Sequence, residues 1–188
     1  MKKYFYLVIF FAGLATATAN AQTSAGIKGG VNVATIGGDA VGVDPRIGFH
    51  AGFFVSARLS DNFGLQPEII YSSQGAQAAE NSDIKFAYNY INIPLMLKYY
   101  PNENLSLQVG PQLGVLTSAK VKFNTEDQDV KDQLENTDVA IGVGLGYENE
   151  SVNLSVRYNF GMSNTAVDSG SESFPNNVLQ LSVGFLFN

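Results

Sequence analysis

The chain has 188 residues, 45% hydrophobic and 15% charged, with no Cys and no Trp. So low a charged fraction, beside 12% aromatics, excludes an intrinsically disordered chain and is unlike a typical soluble surface. The formal charge of −6 disfavours nucleic acid as a partner, and the missing Cys removes disulfides, thiolate metal sites and cysteine nucleophiles.

At the N-terminus, Lys2 and Lys3 precede an apolar run at 4–14, and small residues follow, ending Ala19-Asn20-Ala21. This order predicts a secretory signal over residues 1–21, cleaved after Ala21. The run is too short to cross a ~30 Å hydrocarbon core as a helix. No Cys follows the cleavage site, so no lipid anchor is expected there. Residues 22–188 then make one domain.

Beyond residue 21, period-two alternation recurs, and no long helical period does. The first segment, 27–34, is Gly-rich and the weakest. In the second, Ile47, Phe49, Phe53, Val55 and Leu59 oppose Gly48, His50, Ser56 and Arg58. In the third, Leu65, Pro67, Ile69 and Tyr71 oppose Gln66, Glu68 and Ser72, and Ile70 breaks the rule. In the fourth, Ile91, Ile93, Leu95, Leu97 and Tyr99 oppose Asn92, Pro94, Met96 and Lys98. Tyr88 and Tyr90 fall on its polar parity, which suggests a bulge nearby. Pro67, Pro94 and Pro111 each predict a bulge or a local break in the ladder.

The second half is cleaner. Leu105, Leu107, Val109, Leu113 and Val115 alternate with Ser106, Gln108, Gly110, Gln112 and Gly114. Val139, Ile141, Val143, Leu145 and Tyr147 alternate with Ala140 and with glycines 142, 144 and 146. Val152, Leu154, Val156, Tyr158 and Phe160 oppose Asn153, Ser155, Arg157, Asn159 and Gly161. Leu179, Leu181, Val183, Phe185 and Phe187 oppose Gln180, Ser182 and Gly184. Eight strands result.

Their connections alternate in length. Short ones fall at 60–62, 101–104 and 148–150, long ones at about 35–46, 73–85, 118–137 and 164–176. An antiparallel meander with tight turns at one end and long loops at the other matches an outer-membrane barrel. The competing all-β fold is a secreted lipocalin-like barrel, with the apolar face turned inward around a ligand. Face chemistry separates the two. The polar parity is mostly Gly, Ser, Asn and Gln, whereas a soluble exterior carries about 25–35% charged residues. Aromatics also sit near both ends of the apolar parity: Phe63, Tyr99, Tyr147 and Phe187 towards the short turns, Phe49, Tyr71, Tyr158 and Phe160 towards the loops. Two such bands flanking an aliphatic belt suit membrane interfaces. The expected fold is therefore all-β, an eight-stranded antiparallel up-and-down transmembrane barrel.

Five stretches resemble the PorT-like outer-membrane β-barrel family. They are Gly26-Ile27-Lys28-Gly29-Gly30-Val31-Asn32, Leu65-Gln66-Pro67-Glu68-Ile69-Ile70-Tyr71-Ser72, Tyr90-Ile91-Asn92-Ile93-Pro94-Leu95, Gly110-Pro111-Gln112 and Arg157-Tyr158-Asn159. The resemblance implies a bacterial outer-membrane location and an eight-stranded barrel. The founding member of that family belongs to a secretion system, a role for which this chain carries no motif.

Chemistry is sparse. His50, the only histidine, has no Ser and carboxylate fixed beside it by sequence and is expected to bond a lumen neighbour. The glycines at 142, 144 and 146 imitate a phosphate-binding fingerprint but lie inside a strand, where they make room for opposing side chains. The acidic stretch 126–132 lacks the Gly and the closing Glu of a calcium loop. No catalytic group, cofactor or metal ligand is expected. Lys28, Arg58, Glu68, Lys98 and Arg157 lie on the inward parity, and an unpaired buried charge is costly. Glu68, the one carboxylate among four cations, is the expected hub of a network that plugs the lumen. The expected function is that of a non-enzymatic, monomeric envelope protein acting through its external loops. Its expected partners are outer-membrane lipid, lipopolysaccharide and envelope or secretion-system proteins. An accessory role in secretion is the second expectation, and a narrow porin the third.

Overall fold

The computed structural model describes residues 22–81, 83–123, 127–166 and 173–187; the signal segment 1–21 lies outside them. The strands are β1 (Gln22–Ile36), β2 (Val43–Arg58), β3 (Phe63–Ala78), β4 (Lys85–Tyr99) and β5 (Leu105–Lys122), then β6 (Asp127–Asp129), β7 (Thr137–Glu148), β8 (Val152–Gly161) and β9 (Asn176–Phe187). Eight of these close into a ring. Each pairs antiparallel with its neighbours in the chain, and β1 meets β9 from Ala25↔Phe187 to Ile36↔Asn176. The short β6 adds only to the outer end of β5.

Alternation decides which way each face points. Outward positions on all eight strands are apolar and solvent-open in the isolated chain, with Phe53, Val109, Val143, Leu145 and Val183 among them. No charged side chain stands at the outward positions from 45 to 59, 63 to 71, 91 to 99, 105 to 115 or 139 to 147. The inward face carries Gln, Asn, Ser, Lys, Arg and Glu, most of them buried. A lipocalin-like barrel would be inside out relative to this.

Several local features differ from the sequence expectation. At the prolines the expected bulge or break takes the form of a break, not a bulge. Around Pro67 and Pro94 the ladder skips a few pairs and resumes in the same register, because only the missing N–H is lost. The bulge near the tyrosines is real, but the extra residue is on the facing strand: Tyr90 opposes Leu116, Asn89 opposes Ser118, and Thr117 is left over. Ile70 breaks the alternation because it points inward, where it is 1% exposed.

The first two long loops are also shorter than expected, at 37–42 and 79–84. Here β2, β3 and β4 continue past the apolar belt, so their lipid-face periodicity ends before their ladder does. Gly38 and Gly42, with φ of 70° and 69°, allow the first of these connections to turn so tightly. The barrel wall is consequently uneven: β1 to β5 have 15–18 residues, while β7 to β9 have 10–12. A strand needs about 9–11 residues to cross a bilayer, so only the first five rise well beyond it.

Arginine at Val109 or Val156, both near the middle of the apolar belt, should cost about 2–4 kcal/mol in folding titrations into lipid vesicles. Ser155→Ala removes an inward hydroxyl that has no partner, and should shift stability by less than about 0.5 kcal/mol. Reversed sensitivities would turn the barrel inside out.

Candidate functional site: a layered lumen

The inward side chains sort into layers along the barrel. The middle layer is built on Glu68 of β3. Arg157 of β8 donates to both its oxygens, Nη2 to Oε1 at 2.7 Å and Nη1 to Oε2 at 3.1 Å. Lys28 of β1 lies 3.2 Å away and Gln66 donates at 2.6 Å. β3 and β8 stand opposite each other in the ring, so this bidentate pair crosses the whole lumen.

The layer below it belongs to Glu148, at the end of β7. Its carboxylate accepts Lys98 Nζ at 2.8 Å, Asn153 Nδ2 at 2.6 Å, Tyr100 Oη at 3.2 Å and Ser56 Oγ at 3.2 Å. Arg58 joins neither carboxylate. It stacks 4.0 Å above the Tyr100 ring and donates to the Glu103 carbonyl at 2.8 Å.

The expected five-residue network is therefore corrected. Lys28, Glu68 and Arg157 come together, while Lys98 and Arg58 do not reach Glu68. Register is the reason. Both Arg58 and Lys98 oppose Gly64, four residues from Glu68 along β3 and so about 13 Å lower. A second carboxylate waits at that level. Glu148, which the connection lengths place in a turn, continues the inward parity of glycines 142, 144 and 146 and pairs with Asn153. Extending that parity by one step would have found it.

Above the middle layer lies an amide layer around His50. Asn32 Nδ2 donates to the Ser73 carbonyl at 2.9 Å, and Gln180 Nε2 donates to Asn32 Oδ1 at 3.1 Å, which fixes the amide's orientation. His50 Nδ1 sits 2.8 Å from that same Oδ1, so Nδ1 carries the proton. Nε2, 2.8 Å from Ser182 Oγ, then accepts. A Cβ at Gly146 would sit 2.3 Å from Gln108 Nε2, so this glycine does make room for an opposing side chain. His50 thus bonds lumen neighbours on both ring nitrogens, Asn32 on one side and Ser182 on the other.

At the loop end the lumen turns apolar. Tyr88, Tyr90, Leu116 and Ala119 form a buried cluster. Val130 and Leu134, from the connection between β5 and β7, pack onto it. That connection is tied down by Val130 N to the Ala119 carbonyl at 3.0 Å and Leu116 N to the Asn136 carbonyl at 2.9 Å. Part of the acidic stretch, Glu126, lies outside the described residues; Asp127 and Asp129 stand exposed on β6. A concavity opens at the opposite, short-turn end. It measures about 1470 Å³ and is bordered by Arg58, Tyr100, Asn104 and Glu148.

The eight aromatics all stand on the outer face. Phe63 meets Tyr99 at 5.4 Å near the short turns. Phe49 meets Tyr71 at 5.7 Å and Tyr158 meets Phe160 at 4.5 Å towards the loops. Tyr147 and Phe187 complete the lower set, opposite Leu105 and Ala25.

Removing Glu68 leaves Lys28 and Arg157 facing each other in a confined space. Breaking a buried pair typically costs about 3–5 kcal/mol. Glu68→Ala should lower the unfolding temperature more than Asp129→Ala does. In a double-mutant cycle Glu68 should couple to Arg157, whereas Glu68 and Arg58 changes should add within about 0.5 kcal/mol.

The sequence profile of the outer membrane protein beta-barrel domain matches residues 19–167. No curated protein sequence matches the chain. Among solved structures, Neisserial surface protein A is similar at a TM-score of 0.63 and 14% identity, covering 88% of this chain and 99% of that one. Ail, the attachment invasion locus protein of Yersinia pestis, is similar at 0.55 and 17% identity, covering 87% and 98%. At these identities the likeness is one of fold. The profile covers most of the chain, and with the closed ring and the apolar outer face it gives the assignment: this chain belongs to the outer membrane protein beta-barrel domain family, whose place is the bacterial outer membrane.

Proposed function

We propose that the chain is a non-enzymatic, monomeric structural and interaction module of the outer membrane, with a shut lumen and contacts made through its external loops. One observation carries this. The Glu68–Arg157 bridge crosses the barrel, and the Tyr88–Tyr90–Leu116–Ala119 cluster lies above it, so side chains occupy the lumen at two successive levels. Eight strands leave an interior just wide enough to be filled in this way. The eight outward aromatics then serve as interfacial bands that fix the barrel's depth in lipid and lipopolysaccharide. Residues 1–21 act as the export signal and are removed after Ala21.

A PorT-like accessory role in secretion is the second reading, and the five matching stretches from Gly26 to Asn159 favour it. Co-purification from native outer membrane separates the two. Stoichiometric secretion-machine partners would favour the accessory role, and a free barrel the module.

In planar bilayers the refolded protein should pass no steady current of porin size. Such currents would convert the module into a channel. Sequencing of the protein taken from outer membrane should start at Gln22.

A further inference from the structure

The outer half of the lumen holds polar groups that neither ion-pair layer uses. Asp138, the second residue of β7, is 4% exposed, and its Oδ1 accepts Ser163 Oγ at 2.6 Å. No cation pairs with it among the described residues. Asn92 of β4 is 1% exposed, and neither its amide nitrogen nor its oxygen has a partner. Gly114 of β5 lies between them, paired with Asn92 on one side and Asp138 on the other.

The glycine leaves a cradle. A Cβ at Gly114 would meet Asn92 Oδ1 at 2.8 Å, Asp138 Cβ at 3.4 Å and Tyr90 Cδ1 at 3.4 Å. Two residues along the same strand, Gln112 Oε1 also has no donor. This part of the lumen thus holds a carboxylate with no cation and two carboxamide oxygens with no donor, beside the unpartnered Asn92 amide nitrogen. Buried oxygens of this kind require a proton donor or a cation.

Oxygen-only ligation by a carboxylate and amide carbonyls suits a hard metal cation. Nitrogen and sulfur ligands of the sort that zinc prefers are absent from the cradle. We propose that the Gly114 cradle binds a hard cation of the calcium type, held by the Asp138 carboxylate and the side-chain oxygens of Asn92 and Gln112, with water completing the shell. Nowhere among the described residues do three acidic, His or Cys side chains gather, so this is a weak, neutral-rich site. With one carboxylate its affinity belongs in the range of about 10⁻⁴–10⁻³ M. Ser163 lies in the connection after β8, so a bound ion ties that connection to β4, β5 and β7. The site is independent of the module reading, since a pore or a scaffold could carry it equally.

Terbium(III) is a suitable probe, because its emission is sensitised by a nearby tyrosine. The chain has no Trp, and the Tyr90 ring borders the cradle. In phosphocholine micelles, which bring no net anionic charge, the refolded barrel should give saturable terbium emission. Calcium chloride should displace it with a midpoint near 10⁻⁴–10⁻³ M, and Asp138→Asn should cut it about tenfold. Gly114→Ala should do the same while keeping the carboxylate, so it decides the matter if Asp138→Asn does not fold. Circular dichroism checks folding for each variant. Asp129→Asn, on the exposed β6, should leave the emission intact. Emission that survives Gly114→Ala, or that vanishes with Asp129→Asn, overturns the site.

Discussion

Inside hydrocarbon there is no water to satisfy a backbone N–H or C=O, so a spanning sheet has to pair every edge with another strand. The β1–β9 ladder does this, and the rest of the structure follows from it. Once the ring is shut, the pleat sends alternate side chains to two chemically opposite places. The outward set must be apolar because lipid surrounds it. The inward set cannot reach lipid and has little access to water, so its polar groups must satisfy one another.

That second demand shapes the lumen. Charges in a small barrel draw together, and two carboxylates here gather donors from several strands. Glu68 joins β3 to β1 and β8, and Glu148 joins β7 to β2, β4 and β8. These links run across the ring, where backbone hydrogen bonds cannot. They therefore hold the cross-section in shape while the ladder holds the perimeter. Glycines make the crossings possible: without side chains at 144 and 146, Arg157 and Gln108 have room to extend. At the loop end water is close and charges are not needed. Aromatic rings and a folded-back connection fill the mouth there instead.

Parity alone carried most of the fold. The alternation at 105–115, 139–147, 152–160 and 179–187 was enough for β5, β7, β8 and β9, and lipid on one side made it unmistakable. It failed where that asymmetry ends. The outer parts of β2, β3 and β4 are flanked by polar groups on both faces, so the ladder runs on without a period to show it. The same residue-level signal would have placed Glu148 inward, had the strand been followed one residue further.

What the sequence determined by itself was direction: which residues face lipid, which face inward, and how many strands there are. This follows because a pleated strand next to hydrocarbon has only two faces, and each tolerates only one chemistry. What the tertiary structure decided was level. Lys98 and Arg58 share their parity with Lys28 and Arg157, yet register sets them about 13 Å away from Glu68, beside other partners. Asn92 and Asp138, far apart in the chain, flank one glycine for the same reason. Parity is a property of single strands. Height in the barrel depends on how every strand slides against the next, and only the closed ring fixes that.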